Sequence, residues 1–152
     1  MGENRRYTAL CGLYCLDCIP SNRNLFRIVE QLEAMLADLQ FEKYAAHKAN
    51  RSKVFEDYGK FVEVFKEIKK VECKVPCYEG PSSELGCSRN CKVRSCVVDK
   101  HYSGCWDCES FSNCELLSPL KEFHPGLEHN LQMIKDYGID NWIEKREKHY
   151  NW

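Results

Sequence analysis

The sequence predicts a mainly α protein, with a helical hairpin and C-terminal helices packed around a cysteine-rich, metal-stabilised loop region with little or no β structure. Three observations carry this expectation. Apolar residues recur at three- and four-residue steps over 25–39, 54–68 and 127–137, the spacing of one helix face. No two-residue alternation of strand type is sustained between Lys74 and Gly104. Eleven of the 152 residues are cysteine, in a chain whose 43% hydrophobic and 30% charged content is that of an ordinary globular domain. One domain over residues 1–152 is expected, with a hairpin insert over 19–72, cysteine-rich loops over 73–114 and a helical tail over 115–152.

Each element has its own signal. In the insert, Ser21 or Asn22 can cap a first helix carrying Leu25, Ile28, Val29, Leu32, Leu36 and Leu39. The polar stretch from His47 to Ser52 reads as a turn. Val54, Phe55, Tyr58, Phe61, Val62, Phe65 and Ile68 then mark a second helix, with Gly59 a weak point. Between Lys74 and Gly104, the residues Pro76, Gly80, Pro81 and Gly86 break up a polar stretch that has little core of its own and needs cross-links to be ordered. ELLSPLKEF is a short helix candidate restarted at Pro119. Leu127, Leu131, Ile134 and Tyr137 suit a helix ended by Gly138, and Asp140 can cap a last short helix carrying Trp142 and Ile143.

The cysteines form four groups: Cys11, Cys15 and Cys18; Cys73 and Cys77; Cys87, Cys91 and Cys96; and Cys105, Cys108 and Cys114. An odd number excludes complete disulfide pairing. No apolar stretch of signal-peptide or membrane-span length occurs, so the expected compartment is the reducing cytoplasm, and no membrane contact is expected. Clustered thiols there are more often metal ligands or redox groups. The C-x2-C spacing of Cys15/Cys18 and Cys105/Cys108 curls the backbone so that both sulfurs face one ion, and the C-x3-C pairs are within known ligand spacings. Three triads and a pair are one ligand short of three tetrahedral sites. Two all-cysteine sites would leave three thiols over. His101 is the nearest candidate for a twelfth ligand, ahead of His124 and Asp107. The alternative is an open coordination position.

Two or three Zn2+ ions are the expected cofactors, with an iron–sulfur cluster as the alternative. The C-x3-C-x2-C spacing at Cys11–Cys18 matches that of radical S-adenosylmethionine enzymes. The chain is short for their barrel, however, no βα alternation follows, and Asp17 stands where an aromatic residue is usual. A thiol–disulfide oxidoreductase would want a βαβ context that is missing.

These same residues carry a family resemblance. CGLYCLDC at 11–18, the pair at Cys73 and Cys77, CSRNCKVRSC at 87–96 and GCWDCESFSNC at 104–114 resemble an uncharacterised cysteine-rich family, number 3795 among the domains of unknown function. The likeness runs from Cys11 to about Phe123 and covers all eleven cysteines in order. The middle pair is wider here than in similar chains, and Asn113 replaces a usual proline. The resemblance implies a zinc-binding protein, with the matching cysteines as ligands. It implies no reaction and no catalytic residue.

Beyond metal binding, the leading expectation is a structural or interaction module in which zinc folds a docking surface for a protein partner. An iron–sulfur or open-site metal enzyme or redox protein is the alternative, and a nucleic-acid-binding zinc-knuckle protein a further one. The net charge of −1 argues against binding nucleic acid through bulk charge. Arg89, Lys92, Arg94 and Lys100 give the third cluster a local positive bias that also suits charge compensation of thiolates. Trp106 and Phe111 are expected to cap a metal site or pack on helices, and Trp142, Tyr150 and Trp152 to pack the C-terminus onto the domain.

Overall fold

A computed structural model describes residues 2–80 and 91–147. Cys87, Arg89, Pro81, Gly86, Tyr150 and Trp152 lie outside the described residues. Among the described residues the helices are α1 (Glu3–Tyr7), α2 (Arg23–Asp38), α3 (Phe41–Ala49), α4 (Tyr58–Lys70), α5 (Lys92–Asp99), α6 (Ser118–Phe123) and α7 (Leu127–Tyr137). The β pairing among them is one isolated antiparallel bridge between Thr8 and Tyr14. The protein is therefore mainly helical, as its periodicity predicts. The chain divides into two compact units, Asn22–Glu72 and the combination of Met1–Ser21 with Cys73–Trp152.

The insert unit departs from a two-helix hairpin. Asn22 does cap α2, its side chain accepting the Leu25 N–H at 3.1 Å. But α2 stops at Asp38, Gln40 turns left-handed at φ 49°, and a separate helix α3 restarts at Phe41. His47–Ala49 are helical, so the turn is shorter than the polar stretch suggests. A 3₁₀ turn over Lys53–Asp57 leads into α4. The ring of Phe41 sits 5.4 Å from Tyr58 and 6.5 Å from Phe55. Aromatic pairs of this kind contribute about 0.5–1.5 kcal/mol each, comparable to the roughly 1–2 kcal/mol that a left-handed non-glycine residue costs. Lys69 of α4 pairs with Glu33 of α2. Phe26, Val29 and Ala45 are buried, whereas Leu25, Ile28, Leu32, Met35 and Leu39 are exposed. Most of the expected apolar stripe of α2 thus faces outward.

The cysteine-bearing unit has the larger core. Residues 8–14 double back: the Ala9 N–H donates to Leu13 O at 2.7 Å and the Gly12 N–H to Ala9 O at 2.8 Å. Gly12 sits at the tip with φ 88°, and a Cβ there would lie 2.6 Å from Leu131 Cδ2 on α7. Leu131 and Ile134 are buried, as the periodicity of 127–137 requires, and Gly138 ends α7 with φ 79°. Pro119 stands in the first turn of α6, where its missing N–H costs nothing.

Trp142 is fully buried. It does not ride on a helix capped by Asp140; it precedes a 3₁₀ turn, Ile143–Lys145, while the Asp140 carbonyl accepts from Asn4 Nδ2 at 2.7 Å. The indole N–H donates to Thr8 Oγ1 at 3.0 Å, and that buried hydroxyl donates to Asn4 O at 2.7 Å. A buried donor left without this partner would cost about 1–3 kcal/mol. Tyr14 meets the same indole edge-on at 6.2 Å. Asn130, also buried, clamps the Glu147 backbone, accepting its N–H at 2.8 Å and donating to its carbonyl at 3.3 Å.

The region expected to be irregular contains a helix. α5 occupies Lys92–Asp99 and buries Val93 and Val97, an i,i+4 pair too short to stand out among the cysteines. Its C-terminus forms a Schellman turn: His101 N–H donates to Val98 O at 3.1 Å and Tyr102 N–H to Val97 O at 3.0 Å.

Candidate functional site

One local device recurs in the first and fourth cysteine groups. At Cys15–Asp17 and again at Cys105–Asp107, a single 3₁₀ turn ends on the next cysteine. The Cys18 N–H donates to Cys15 O at 3.0 Å, and the Cys108 N–H to Cys105 O at 3.1 Å. Both segments read C-x-D-C. A third turn, Phe111–Asn113, ends on Cys114 in the same way. Cys18, Cys108 and Cys114 all leave their turns with extended backbone, ψ 133°, 125° and 117°. The recurrence of C-x-D-C is visible in the sequence, but spacing alone does not say that three separate turns share it.

Backbone ties between remote segments gather these turns. The Cys73 N–H donates to Pro20 O at 2.7 Å, setting the second cysteine group beside the first. The Cys105 N–H donates to Leu10 O at 2.8 Å, joining the fourth group to the residue 8–14 turn. Tyr78 OH donates to Ser103 O at 2.5 Å. Trp106 and Phe111 are buried in the core shared with α7, and Lys135 of that helix lies 5.9 Å from the Phe111 ring centre.

Two thiol neighbourhoods result. Burial pushes the Cys15 thiol up to about 12, a hydrogen bond from the Cys77 backbone pulls it down, and Cys77, Cys73 and Cys18 push it further up. Burial likewise raises Cys77, against a hydrogen bond from the Leu10 backbone and the positive charge of Arg94. The second neighbourhood surrounds Cys105, which burial pushes up to about 12, with Cys114, Cys96, Cys108 and Cys91 adding to the rise. Cys91 adds to the rise at both Cys77 and Cys105. Its sulfur also caps α5, accepting the Arg94 N–H at 3.4 Å. Cys11 lies near the tip of the residue 8–14 turn, half-buried against the core.

No disulfide joins the ten described cysteines. Among the described residues, no group of three or more Cys, His, Asp or Glu side chains stands in ligating geometry. The donors fit a thiophilic metal in kind, being soft thiols clustered in apolar surroundings at zinc-like spacing. His101 is exposed and takes the left-handed position after α5, φ 55°. His124 ends α6, its N–H donating to Leu120 O at 2.8 Å. Asp107 accepts the Ser103 N–H at 2.6 Å.

Polar supports of the turns are not legible from cysteine spacing. Arg146 grips Asp17 of the first C-x-D-C turn with two bonds of 2.5 and 2.8 Å and stacks 4.8 Å over Tyr14. Arg94 Nη1 is buried with no hydrogen-bond partner.

A family model described as "Protein of unknown function (DUF3795)" matches residues 7–119. No curated protein and no solved structure matches the chain. No helix among the described residues is long and apolar enough to cross a membrane.

Proposed function

The chain belongs to the DUF3795 family, and from that premise we propose that it is a thiol-ligated, zinc-binding module whose metal sites fold a surface for a protein partner. The observation that carries the reading is the gathering of sulfur from segments far apart in the chain into two neighbourhoods. Cys15, Cys18, Cys73 and Cys77 would hold one ion, and Cys96, Cys105, Cys108 and Cys114 the other. Eight ligands leave Cys11, Cys87 and Cys91 over, which accounts for the odd count without a twelfth ligand. Each proposed set includes one C-x-D-C turn, whose two cysteines would supply a two-sulfur chelate.

A bound zinc ion would supply cross-linking between loops, and so folding free energy. The protein's own groups do the rest. The backbone N–H groups of Cys77 and Leu10 support the first set of sulfurs, and Arg146 holds the first turn in place through Asp17. On the insert unit, the exposed stripe of Leu25, Ile28, Leu32, Met35 and Leu39 favours an interaction role of its own, apart from the metal sites, because exposed apolar residues of this kind mark contact surfaces.

The test is anaerobic purification under reducing conditions, followed by metal analysis and single Cys→Ser variants. Two zinc ions per chain are expected. Cys15→Ser and Cys73→Ser should lose the same ion, and Cys105→Ser and Cys114→Ser the other. A metal-free chain that keeps its fold would refute the proposal. Brown protein with iron and sulfide would replace zinc with a cluster.

A further inference from the structure

Helix α2 carries two apolar faces. Phe26 and Val29 are buried and Leu36 is half-buried, while Leu25, Ile28, Leu32, Met35 and Leu39 stay exposed. The exposed set advances in alternating steps of three and four residues, the a/d spacing of a coiled-coil seam whose knobs enter the holes of one facing helix. Leu39, the C-cap, keeps helical backbone, so it continues the same stripe. A seam of this kind is covered by another helix. Its polar border says which one. Arg27 donates to Asn24 Oδ1 at 2.7 Å and to Gln31 Oε1 at 2.9 Å. Asn24 and Gln31 are the g positions beside the seam, so these bonds lay the guanidinium along its edge in the first half of α2. Asp38, also at g, is exposed at the other end and enters no salt bridge among the described residues.

The edge therefore runs from positive to negative, and it complements itself when reversed. We infer that α2 pairs antiparallel, through this seam, with α2 of a second copy of the chain. The contact is isologous, the same stripe on both copies. Ile28 meets the partner's Leu39 and Leu32 the partner's Met35, and this register brings Arg27 to the partner's Asp38 at both ends of the seam. Border charges of this kind set the orientation of paired helices. A parallel pair would instead set g against e, here Val29 and Leu36, which offer no charge. The seam is short, and falls below the about 1,200–2,000 Å² of a standard stable interface, so the dimer exchanges with monomer. This rests on the interaction reading of the stripe and not on the metal sites.

The experiment is sedimentation velocity of the full chain under reducing conditions, which keep disulfides from linking copies, from about 1 µM to about 1 mM. Wild type should shift from monomer toward dimer across this range. Met35 is 59% exposed, so Met35→Glu should keep its helicity by circular dichroism and abolish the shift. Arg27→Glu and Asp38→Arg should each weaken association about tenfold through two symmetry-related pairs, and the double variant should regain most of the loss. A wild type that stays monomeric throughout, a dimer that Met35→Glu leaves intact, or a double variant no better than the singles would each overturn the inference. None of these results touches the metal reading, which stands or falls on metal content.

Discussion

Gly12→Ala probes the junction between the first cysteine cluster and α7. The added Cβ would lie 2.6 Å from Leu131 Cδ2 and 2.8 Å from Cγ, on backbone at φ 88°. Two costs therefore combine. The left-handed backbone costs an L-residue about 1–2 kcal/mol, and overpacking a filled core costs about 1–3 kcal/mol. Alanine recovers up to about 1 kcal/mol by restricting the unfolded chain. The net expectation is a loss of about 1–5 kcal/mol, or roughly 2–20 °C in Tm for a chain of this length. Leu131→Ala alone should cost about 2–5 kcal/mol. In the double variant the clash disappears but the backbone term stays, so the total should fall short of the sum by about 1–3 kcal/mol. Urea unfolding of all four proteins at fixed zinc and protein concentration gives these differences, since ligand bound to the native state also shifts midpoints. A Gly12→Ala protein within about 0.5 kcal/mol of wild type, or strict additivity in the double, would refute the packing argument.

Three further outcomes are expected. His101→Gly should raise stability by about 0.5–1 kcal/mol in thermal melts, because glycine accepts the left-handed position after α5 more easily; a loss of bound metal would instead place His101 among the ligands. Asn130→Ala should lower stability by about 1–2 kcal/mol by releasing the Glu147 backbone, and an unchanged melting curve would count against that clamp. Because the Cys73 N–H meets Pro20 O at 2.7 Å, replacing residues 22–72 with a short glycine–serine linker should leave the cysteine-bearing unit folded and its metal content intact. Loss of metal in that protein would show that the insert is needed to assemble the sites.

Much of the fold is legible where local rules act alone. Asn22 caps α2, Pro119 opens α6 and Gly138 closes α7, each by short-range backbone chemistry. The break at Gln40 has no such signal, since neither glycine nor proline marks it, and it is retained in a setting of tertiary ring packing around Phe41. α5 escapes notice because its helix cap is a cysteine and its buried face is two valines. The outward turn of Leu25, Ile28 and Leu32 is equally hidden, because periodicity identifies an apolar face without saying that anything covers it. At the candidate site, cysteine spacing indicates chelating turns. It cannot indicate that Asp17 is held by Arg146 across 129 positions, or that one guanidinium nitrogen of Arg94 lies buried without a hydrogen-bond partner.

The bond from Trp142 to Thr8 spans 134 positions, and it dictates an order of events during synthesis. The first cluster leaves the ribosome well over a hundred residues before the indole that completes its packing. At about 5–20 residues per second, that is a wait of several seconds or more. Through that interval Cys11, Cys15 and Cys18 are nascent-chain thiols without their final enclosure, open to oxidants and to stray metal. The late-made indole thus closes in a cluster translated well over a hundred residues earlier.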